Sequence, residues 1–349
     1  AQDACRRVLE LSPGHKRALR GLRQAFVDAS DWEGLEHLYS SQQDFEGLVD
    51  FLSTTADRGK DDAQKVELSF RAARVYAENL AAPERAARSY ERVLSIEEHN
   101  VRAARALLPI YQAEEKWSRL PGLYQILLDT TALVDEKIEI LRKVAEISGG
   151  PLANKTAALG YARRAYELRP DEGGLERLRD WSQQSGEWSA FIEVVKGRLD
   201  SDDVGGDEAR DFQLMLARVY AGEMSRIEDA VGIFRALLEA DSADGDTARE
   251  LEALLRAADR RDDLRWLFEL KVGQAEGTER CVVLEEWATV EEEVFGEPDM
   301  AIGLLRRIVA EDATRATALA ALTRLLLAGE DYAQAVGVMR THRDAVEGD

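Results

Sequence analysis

Residues 66–96, which read VELSFRAARVYAENLAAPERAARSYERVLSI, decide the fold of this 349-residue chain. In the first half of the stretch, apolar residues recur every three or four positions, which predicts an amphipathic helix over 66–79. Pro83 has the fixed φ that suits the first turn of a helix, and an apolar inner face follows it as far as Ile96. The stretch therefore predicts two helices joined by a short loop, which is an antiparallel helical hairpin.

The residues of this hairpin recur along the chain with a period of 71 or 72 residues. One set is Ala73, Ala145, Ala217 and Ala288, a second is Ala86, Ala158, Ala230 and Ala301, and a third is Tyr90, Ala162, Phe234 and Leu305. Three sets in the same register indicate an internal repeat, and units that bury one face against the next form a solenoid. Each period contains four helical stretches and none with the alternating pattern of a strand, so the predicted fold class is all-α.

Composition and charge limit the classes of partner. Proline is scarce, with 7 residues, while alanine, leucine, glutamate and arginine are frequent, and this favours helices. The formal net charge is −21, which disfavours nucleic acid and anionic membranes as partners because both require a basic surface. No apolar run approaches the roughly 20 residues that a membrane-spanning helix needs. We expect neither nucleic-acid binding nor membrane insertion.

The recurring residue pairs resemble those of the tetratricopeptide repeat family. Its pattern has a small residue and an aromatic residue on the first helix, A-x3-F on the second helix, and a closing proline. The matching residues are Ala73 with Tyr76, Ala217 with Tyr220, Ala86 with Tyr90, Ala230 with Phe234, and the prolines Pro13 and Pro170. The resemblance implies a right-handed α-α superhelix of stacked antiparallel helical hairpins, in which the first helix of each hairpin lines an inner groove.

Departures from the family pattern make each period a pair of unlike hairpins. Ser148 and Glu291 stand at the position of Tyr76, and the loop after Tyr76 is one residue longer than usual in the family. In three alternate hairpins a larger residue replaces the second-helix alanine: Leu120, Phe191 and Leu264, with Ala335 in the fourth. We expect a single solenoid that is part of a longer protein, with sub-units of about 1–65, 66–137, 138–209, 210–280 and 281–349.

A duplicated segment interrupts the register near the N-terminus. The residues DWEGL at 31–35 are followed thirteen positions later by DFEGL at 44–48. Phe45 is in phase with Trp117, so the copy that contains Trp32 is the insertion. It predicts an extra short helix near 31–41, which is either a tolerated duplication or a specialised contact.

The sequence contains no recognised catalytic or metal-binding motif. The histidines His15, His37, His99 and His342 are scattered singly, and the glycine-rich phosphate loops and zinc-binding histidine patterns are absent. Cys5 and Cys281 lie far apart, and we interpret Cys5, which falls on the Tyr90 set, as a buried apolar residue. We therefore expect no enzyme activity, no cofactor and no metal ion.

The resemblance places many residues on the inner groove, all of them charged except one phenylalanine. In the N-terminal half they are Arg17, Arg20, Glu67, Phe70, Arg74, Arg102, Arg105, Glu139, Arg142 and Glu146, and further along Glu176, Asp180, Arg218, Arg249, Arg256, Glu285, Glu292 and Arg324. The candidate partner-binding residues are Arg17, Arg20, Phe70, Arg74, Arg102, Arg105 and Arg142. The planar fork of arginine suits carboxylates, so residues 15–145 predict a basic groove for an acidic or C-terminal peptide segment of a partner protein. The alternative is that these arginines pair with glutamates of the adjacent helix.

Stacked hairpins without a catalytic motif predict a non-catalytic scaffold for protein–protein interaction. Two alternatives stay open: a self-assembling structural module, and a region that recruits substrate for a larger enzyme. The chain begins without a signal peptide, which predicts a cytoplasmic protein. The sequence does not predict the oligomeric state.

Overall fold

A computed structural model describes residues 2–12, 15–202 and 204–347. These residues form helices and turns with no strand among them, so the predicted all-α fold of antiparallel helical hairpins is confirmed. Pro13, which matches the closing proline of the repeat pattern, lies outside the described residues. The chain divides into two compact units, residues 1–191 and 192–349. No helix in the described part of the chain is long and apolar enough to cross a membrane.

The first unit contains eleven helices and the start of a twelfth. They are α1 Gln2–Leu11, α2 Lys16–Asp28, α3 Trp32–Ser40, α4 Phe45–Arg58, α5 Asp62–Glu78, α6 Pro83–Ile96, α7 Val101–Ala113, α8 Leu120–Thr130, α9 Val134–Gly149, α10 Lys155–Leu168, α11 Glu172–Ser185 and α12 Ser189–Leu199. Helices that are consecutive in the sequence pack against each other, most extensively α5 with α6 and α9 with α10. Pro83 is the first residue of α6, as predicted. The Asn100 side chain caps α7 by accepting a hydrogen bond of 2.9 Å from the Ala103 N–H.

The second unit continues the same alternation of helices. They are α13 Gly206–Arg218, α14 Ile227–Ala240, α15 Gly245–Ala257, α16 Arg261–Gln274, α17 Gly277–Thr289, α18 Pro298–Glu311, α19 Ala316–Ala328 and α20 Tyr332–Glu347. A π-helical turn extends α13 over Val219–Glu223, and another extends α17 over Val290–Val294. The two turns occupy equivalent positions of the repeat, 71 residues apart.

The alternate hairpins differ by one residue in their turns. In the first kind, the carbonyl of Tyr76 accepts a hydrogen bond of 2.9 Å from the N–H of Ala82, six residues later. Ser148, Tyr220 and Glu291 make the same bond in their own hairpins. In the second kind, the carbonyl of Tyr111 accepts from Lys116, only five residues later. The longer loop predicted after Tyr76 is therefore a property of all four hairpins of the first kind.

The extra short helix predicted near 31–41 is α3. Asp31 caps it by accepting from the Gly34 N–H at 2.9 Å, and Asp44 caps α4 in the same way at Gly47. Trp32 is 4% exposed and Leu35 has no exposed surface, so the inserted helix contributes to the hydrophobic core of the first unit. Cys5 packs against that core as a partly buried residue.

A buried ion pair joins α16 to the π-helical turn that follows α17. Glu291 has no exposed surface, and its two carboxylate oxygens accept hydrogen bonds of 2.7 and 2.8 Å from the Arg265 guanidinium. The Trp287 indole N–H donates to the same carboxylate at 2.9 Å. Burial raises the pKa of Glu291, but the hydrogen bonds from Arg265 and Trp287 lower it by a larger amount. The net pKa therefore lies below its usual 4.5.

We predict that Glu291→Gln will destabilise the chain by about 3 kcal/mol, because it leaves the Arg265 charge without its buried counter-ion. Urea denaturation of the full chain measures the change. Glu292→Gln is the matched control, since Glu292 pairs with the exposed Arg324 at 2.8 Å and such pairs contribute about 1 kcal/mol or less. Equal destabilisation by the two variants would contradict the role of the buried pair.

Asp244, which caps α15, predicts acid sensitivity in the second unit. Burial raises the pKa of this carboxyl group, but hydrogen bonds from Arg210 and Thr247 lower it by a larger amount, and the net pKa is about 2. Because the folded pKa lies below the usual 3.8, this stabilisation is complete above about pH 5 and is lost as the pH falls towards 2. We expect Asp244→Asn to lower the melting temperature at pH 7 and to leave it unchanged near pH 2, as measured by circular dichroism. If the difference in melting temperature between wild type and variant does not change with pH, the Asp244 carboxylate is not the source of the acid sensitivity.

Candidate functional site

The seven candidate partner-binding residues all lie in the first unit. Arg17 and Arg20 are on α2, Phe70 and Arg74 on α5, Arg102 and Arg105 on α7, and Arg142 on α9. The six arginines among them differ in their ion pairs: some are already paired with carboxylates and others are not.

Phe70, Tyr90 and Arg102 form a stacked group. The Phe70 and Tyr90 rings meet edge to face with their centroids 5.9 Å apart. The Arg102 guanidinium carbon lies 4.4 Å from the centroid of the Phe70 ring, within the range of a cation–π interaction. Burial raises the pKa of the Tyr90 hydroxyl, and the nearby Arg102 charge offsets part of the increase. Phe70 is buried, so its ring supports Arg102 from below while the arginine stays exposed.

Two of the candidate arginines are neutralised within the protein. Arg74 pairs with Glu36 of the inserted helix α3 at 2.5 Å, and Glu36 also binds Arg71 at 2.9 Å. Arg142 pairs with Glu139 at 3.2 Å and lies 3.6 Å from Asp171. For Arg74 and Arg142, therefore, the structure shows the pairing with neighbouring carboxylates that the alternative interpretation predicts.

Arg17, Arg20 and Arg105 are exposed and form no ion pair with any described residue. Arg20 also borders a surface pocket of about 260 Å³ between α2 and α3, whose wall includes Lys16, Arg23 and Tyr39. Together with Arg102 they form a set of four arginines whose charges no described carboxylate neutralises. We call this set, Arg17, Arg20, Arg102 and Arg105, the unpaired arginines.

The predicted groove arginines of the second unit are paired. Arg218 forms a bond of 2.6 Å with Glu250, and Arg324 pairs with Glu292. Arg256 is held by Glu252 at 2.6 Å, and Arg249 pairs with Asp246. The same register thus gives uncompensated positive charge in the first unit and charge-neutral pairs in the second.

A second feature of the first unit is a pocket of about 210 Å³ between α9, α10 and α11. Its apolar lining consists of Ala145, Ala162, Ala165, Tyr166 and Trp181. The polar side chains around it are Arg142, Glu146, Arg169, Arg177, Asp180 and Gln184. We call it the α10 pocket. Arg177 is exposed, donates to the Gly173 carbonyl at 3.3 Å, and has no carboxylate partner among the described residues.

Trp181 reaches the α10 pocket by packing across Gly149. A Cβ atom on Gly149 would lie 2.1 Å from the Trp181 ring, which is closer than any real contact. It would also lie 3.1 Å from the Cβ of Ala158. Glycine is therefore required at 149 because the indole and α10 both approach its backbone closely.

Sequence reasoning found the arginines but missed their partners. Glu36, which neutralises Arg74, lies in the insertion and has no counterpart in the repeat register. Tyr90 belongs to a recurring set, yet only the structure shows that it supports Phe70 beneath Arg102. The described residues contain no group of three histidine, cysteine, aspartate or glutamate side chains that could hold a metal ion.

Sequence comparisons give no relative of known function: no family model and no curated protein matches the chain. Three solved structures show the level of structural similarity. A chain of the structure of Naa15/Naa10 bound to HypK-THB is 10% identical with a TM-score of 0.33, and the match covers 100% of this chain and 61% of that one. A tetratricopeptide repeat protein from Parabacteroides merdae is 14% identical with a TM-score of 0.27, covering 75% and 99%. The TPR2AB domain of yeast Sti1 in complex with an HSP90 peptide is 10% identical with a TM-score of 0.25, covering 81% and 92%.

The present chain thus spans less than two thirds of the Naa15/Naa10 chain that it matches. The predicted resemblance to tetratricopeptide hairpins is confirmed for the architecture of this chain. Its helices form antiparallel pairs with short loops and buried alanines.

We predict that Gly149→Ala will displace the Trp181 indole from the wall of the α10 pocket. The added methyl group overpacks the contact, and we expect a loss of about 1–3 kcal/mol in the free energy of unfolding. Gly160→Ala on α10 is the control, because a Cβ there meets no atom within 4 Å. The indole N–H resonance of Trp181, assigned through Trp181→Phe, should shift in the first variant only. An unchanged resonance in Gly149→Ala would show that the close packing is wrong.

Proposed function

We propose that the first unit is a non-catalytic scaffold that binds an acidic peptide segment of a partner protein through the unpaired arginines. The observation that carries this proposal is that these four side chains lie on the first helices of their hairpins and have no carboxylate partner among the described residues, in a chain of net charge −21. An arginine that is already paired must lose its partner before it can bind a ligand. An unpaired arginine binds a peptide carboxylate without that cost.

The stacked group prepares one of these arginines for binding. Arg102 lies over Phe70, which Tyr90 supports from its edge, so the guanidinium has fewer orientations to lose than a freely moving side chain. An exposed cation–π contact contributes about 0.5–1 kcal/mol, and it leaves the edge of the guanidinium available for hydrogen bonds to a carboxylate. The aromatic pair therefore positions Arg102, and the charge of Arg102 binds the ligand.

The inserted helix α3 sets one boundary of the proposed surface. Its Glu36 binds both Arg71 and Arg74, and Glu67 also pairs with Arg71, so two carboxylates offset these two positive charges of α5. The surface left for an acidic segment is formed by α2 and α7 rather than by α5. We propose this arrangement as the contribution of the insertion to specificity.

The proposed role requires no chemical step. Short-looped, packed helices hold the arginines in place before the partner arrives, so little conformational entropy is lost by the protein on docking. The partner is a peptide or protein segment with several carboxylates, because one unpaired arginine gives little affinity whereas several act together.

Charge reversal on α7 tests the proposal. We expect Arg102→Glu combined with Arg105→Glu to weaken binding of a fluorescein-labelled decapeptide of aspartate and glutamate at least tenfold, because two charge-assisted contacts become repulsive. Fluorescence anisotropy on the full chain measures the affinity. Binding of the wild type should also fall steeply with added salt.

The matched control is Arg88→Glu combined with Arg164→Glu. These exposed arginines lie on α6 and α10, the second helices of their hairpins, and the double variant has the same net charge as the test variant. Equal loss of binding in the two double variants would show that only overall charge matters. Unchanged binding in the α7 variant would remove the proposed surface.

A further inference from the structure

The α10 pocket results from three departures from the repeat register. Ala162 stands where the other three copies have Tyr90, Phe234 and Leu305. Ala165, one turn further on, stands where they have Val93, Leu237 and Ile308. Arg142 on α9 occupies the position of Phe70, 72 residues earlier. In the corresponding hairpin one repeat earlier, α5 with α6, the space is filled by the Phe70 and Tyr90 rings in edge-to-face contact.

The consequence is a pocket where the corresponding hairpin, α5 with α6, has an aromatic pair. Its volume of about 210 Å³ is several times the roughly 30 Å³ that one water molecule occupies in the liquid. Ala145, Ala162 and Ala165 contribute only methyl groups to its lining, so there is little for a bound water to hydrogen-bond on that side. A pocket with an apolar wall and a few polar side chains around it accommodates an apolar group such as an aromatic ring.

The charges at the pocket connect it with the proposed acidic ligand. Arg177 is exposed and has no carboxylate partner among the described residues. Arg142 lies beside it at the pocket and is only 24% exposed, held by Glu139. A carboxylate next to the bound ring can therefore pair with Arg177, and the ring itself meets the Trp181 indole. Glu146 and Asp180 also line the pocket and form no ion pair with any described residue, so the carboxylates of the peptide pair with Arg177 and the unpaired arginines and stay outside the pocket itself.

We propose that the α10 pocket receives one aromatic side chain of the partner peptide, with acidic residues on either side of it. The inference rests on the proposed function, because it identifies the peptide that the first unit binds as acidic with a single aromatic anchor. The incoming ring takes the place that Tyr90 fills one repeat earlier, and the unpaired arginines bind the carboxylates.

A peptide series tests the pocket. The probes are labelled heptapeptides with six acidic residues around a central alanine, leucine, phenylalanine or tryptophan. We expect the wild type to bind the phenylalanine and tryptophan peptides at least tenfold more tightly than the alanine peptide, because burying an aromatic ring is favourable.

Filling the pocket from within should remove this preference. Ala162→Phe introduces the residue that Phe234 supplies in the third copy, and Ala162→Leu introduces the residue that Leu305 supplies in the fourth. We expect either variant to bind all four peptides with the affinity that the wild type has for the alanine peptide. The control is Gly160→Leu on α10, whose side chain points into open space and should leave the preference intact.

The outcomes separate the pocket from the groove. If the wild type shows no preference for an aromatic residue, or the preference survives both Ala162 variants while their circular dichroism matches the wild type, the pocket is not the binding site. If the preference is lost in these variants but Arg102→Glu with Arg105→Glu has no effect on the alanine peptide, the result supports the pocket as the binding site of the aromatic residue. The same result contradicts the proposed binding surface of unpaired arginines. If one Ala162 variant does not fold, the other decides the result.

Discussion

The remainder of the structure depends on how closely the two helices of each first-kind hairpin approach each other. Ala86, Ala158, Ala230 and Ala301 have no exposed surface in any of the four copies. Gly149 shows the distance involved, because a Cβ there would lie 3.1 Å from that of Ala158. A larger residue at these positions would force the helices apart at a cost of about 1–3 kcal/mol or more.

Alanine fixes the helix spacing in all four copies, whereas the size of the side chain one turn further along the second helix varies between copies. The residue four places after each of these alanines lies one turn further on the same helix face, and it is tyrosine, alanine, phenylalanine or leucine in the four copies. Three of these side chains fill the space beside the first helix. Ala162 does not, and the α10 pocket follows from that one difference together with Ala165.

Several parts of the fold could be predicted from the sequence because they depend on local periodicity. The hairpins, the position of Pro83 and the existence of α3 follow from residue spacing and capping chemistry. The buried pair of Arg265 and Glu291 could not be predicted in this way, since the two residues lie on helices of different hairpins and 26 positions apart. The partner of Arg74 was equally hidden, because Glu36 belongs to the insertion that breaks the register. The pocket could have been predicted from the sequence, since the third recurring set has Ala162 where the first copy has Tyr90.

The charge pattern and the pocket support one another physically. An unfilled pocket leaves the alanines that line it without the contacts that a packed ring would provide. The same scaffold avoids that loss at Tyr90 by placing a ring in the equivalent space, so the alanines of α10 are not imposed by the fold. A bound side chain restores the lost contacts only in the complex, which couples ligand binding to the stability of α9 to α11. Because the uncompensated arginines lie in this same unit and not among the paired arginines of the second unit, the two features together favour a ligand that is both acidic and apolar at one point.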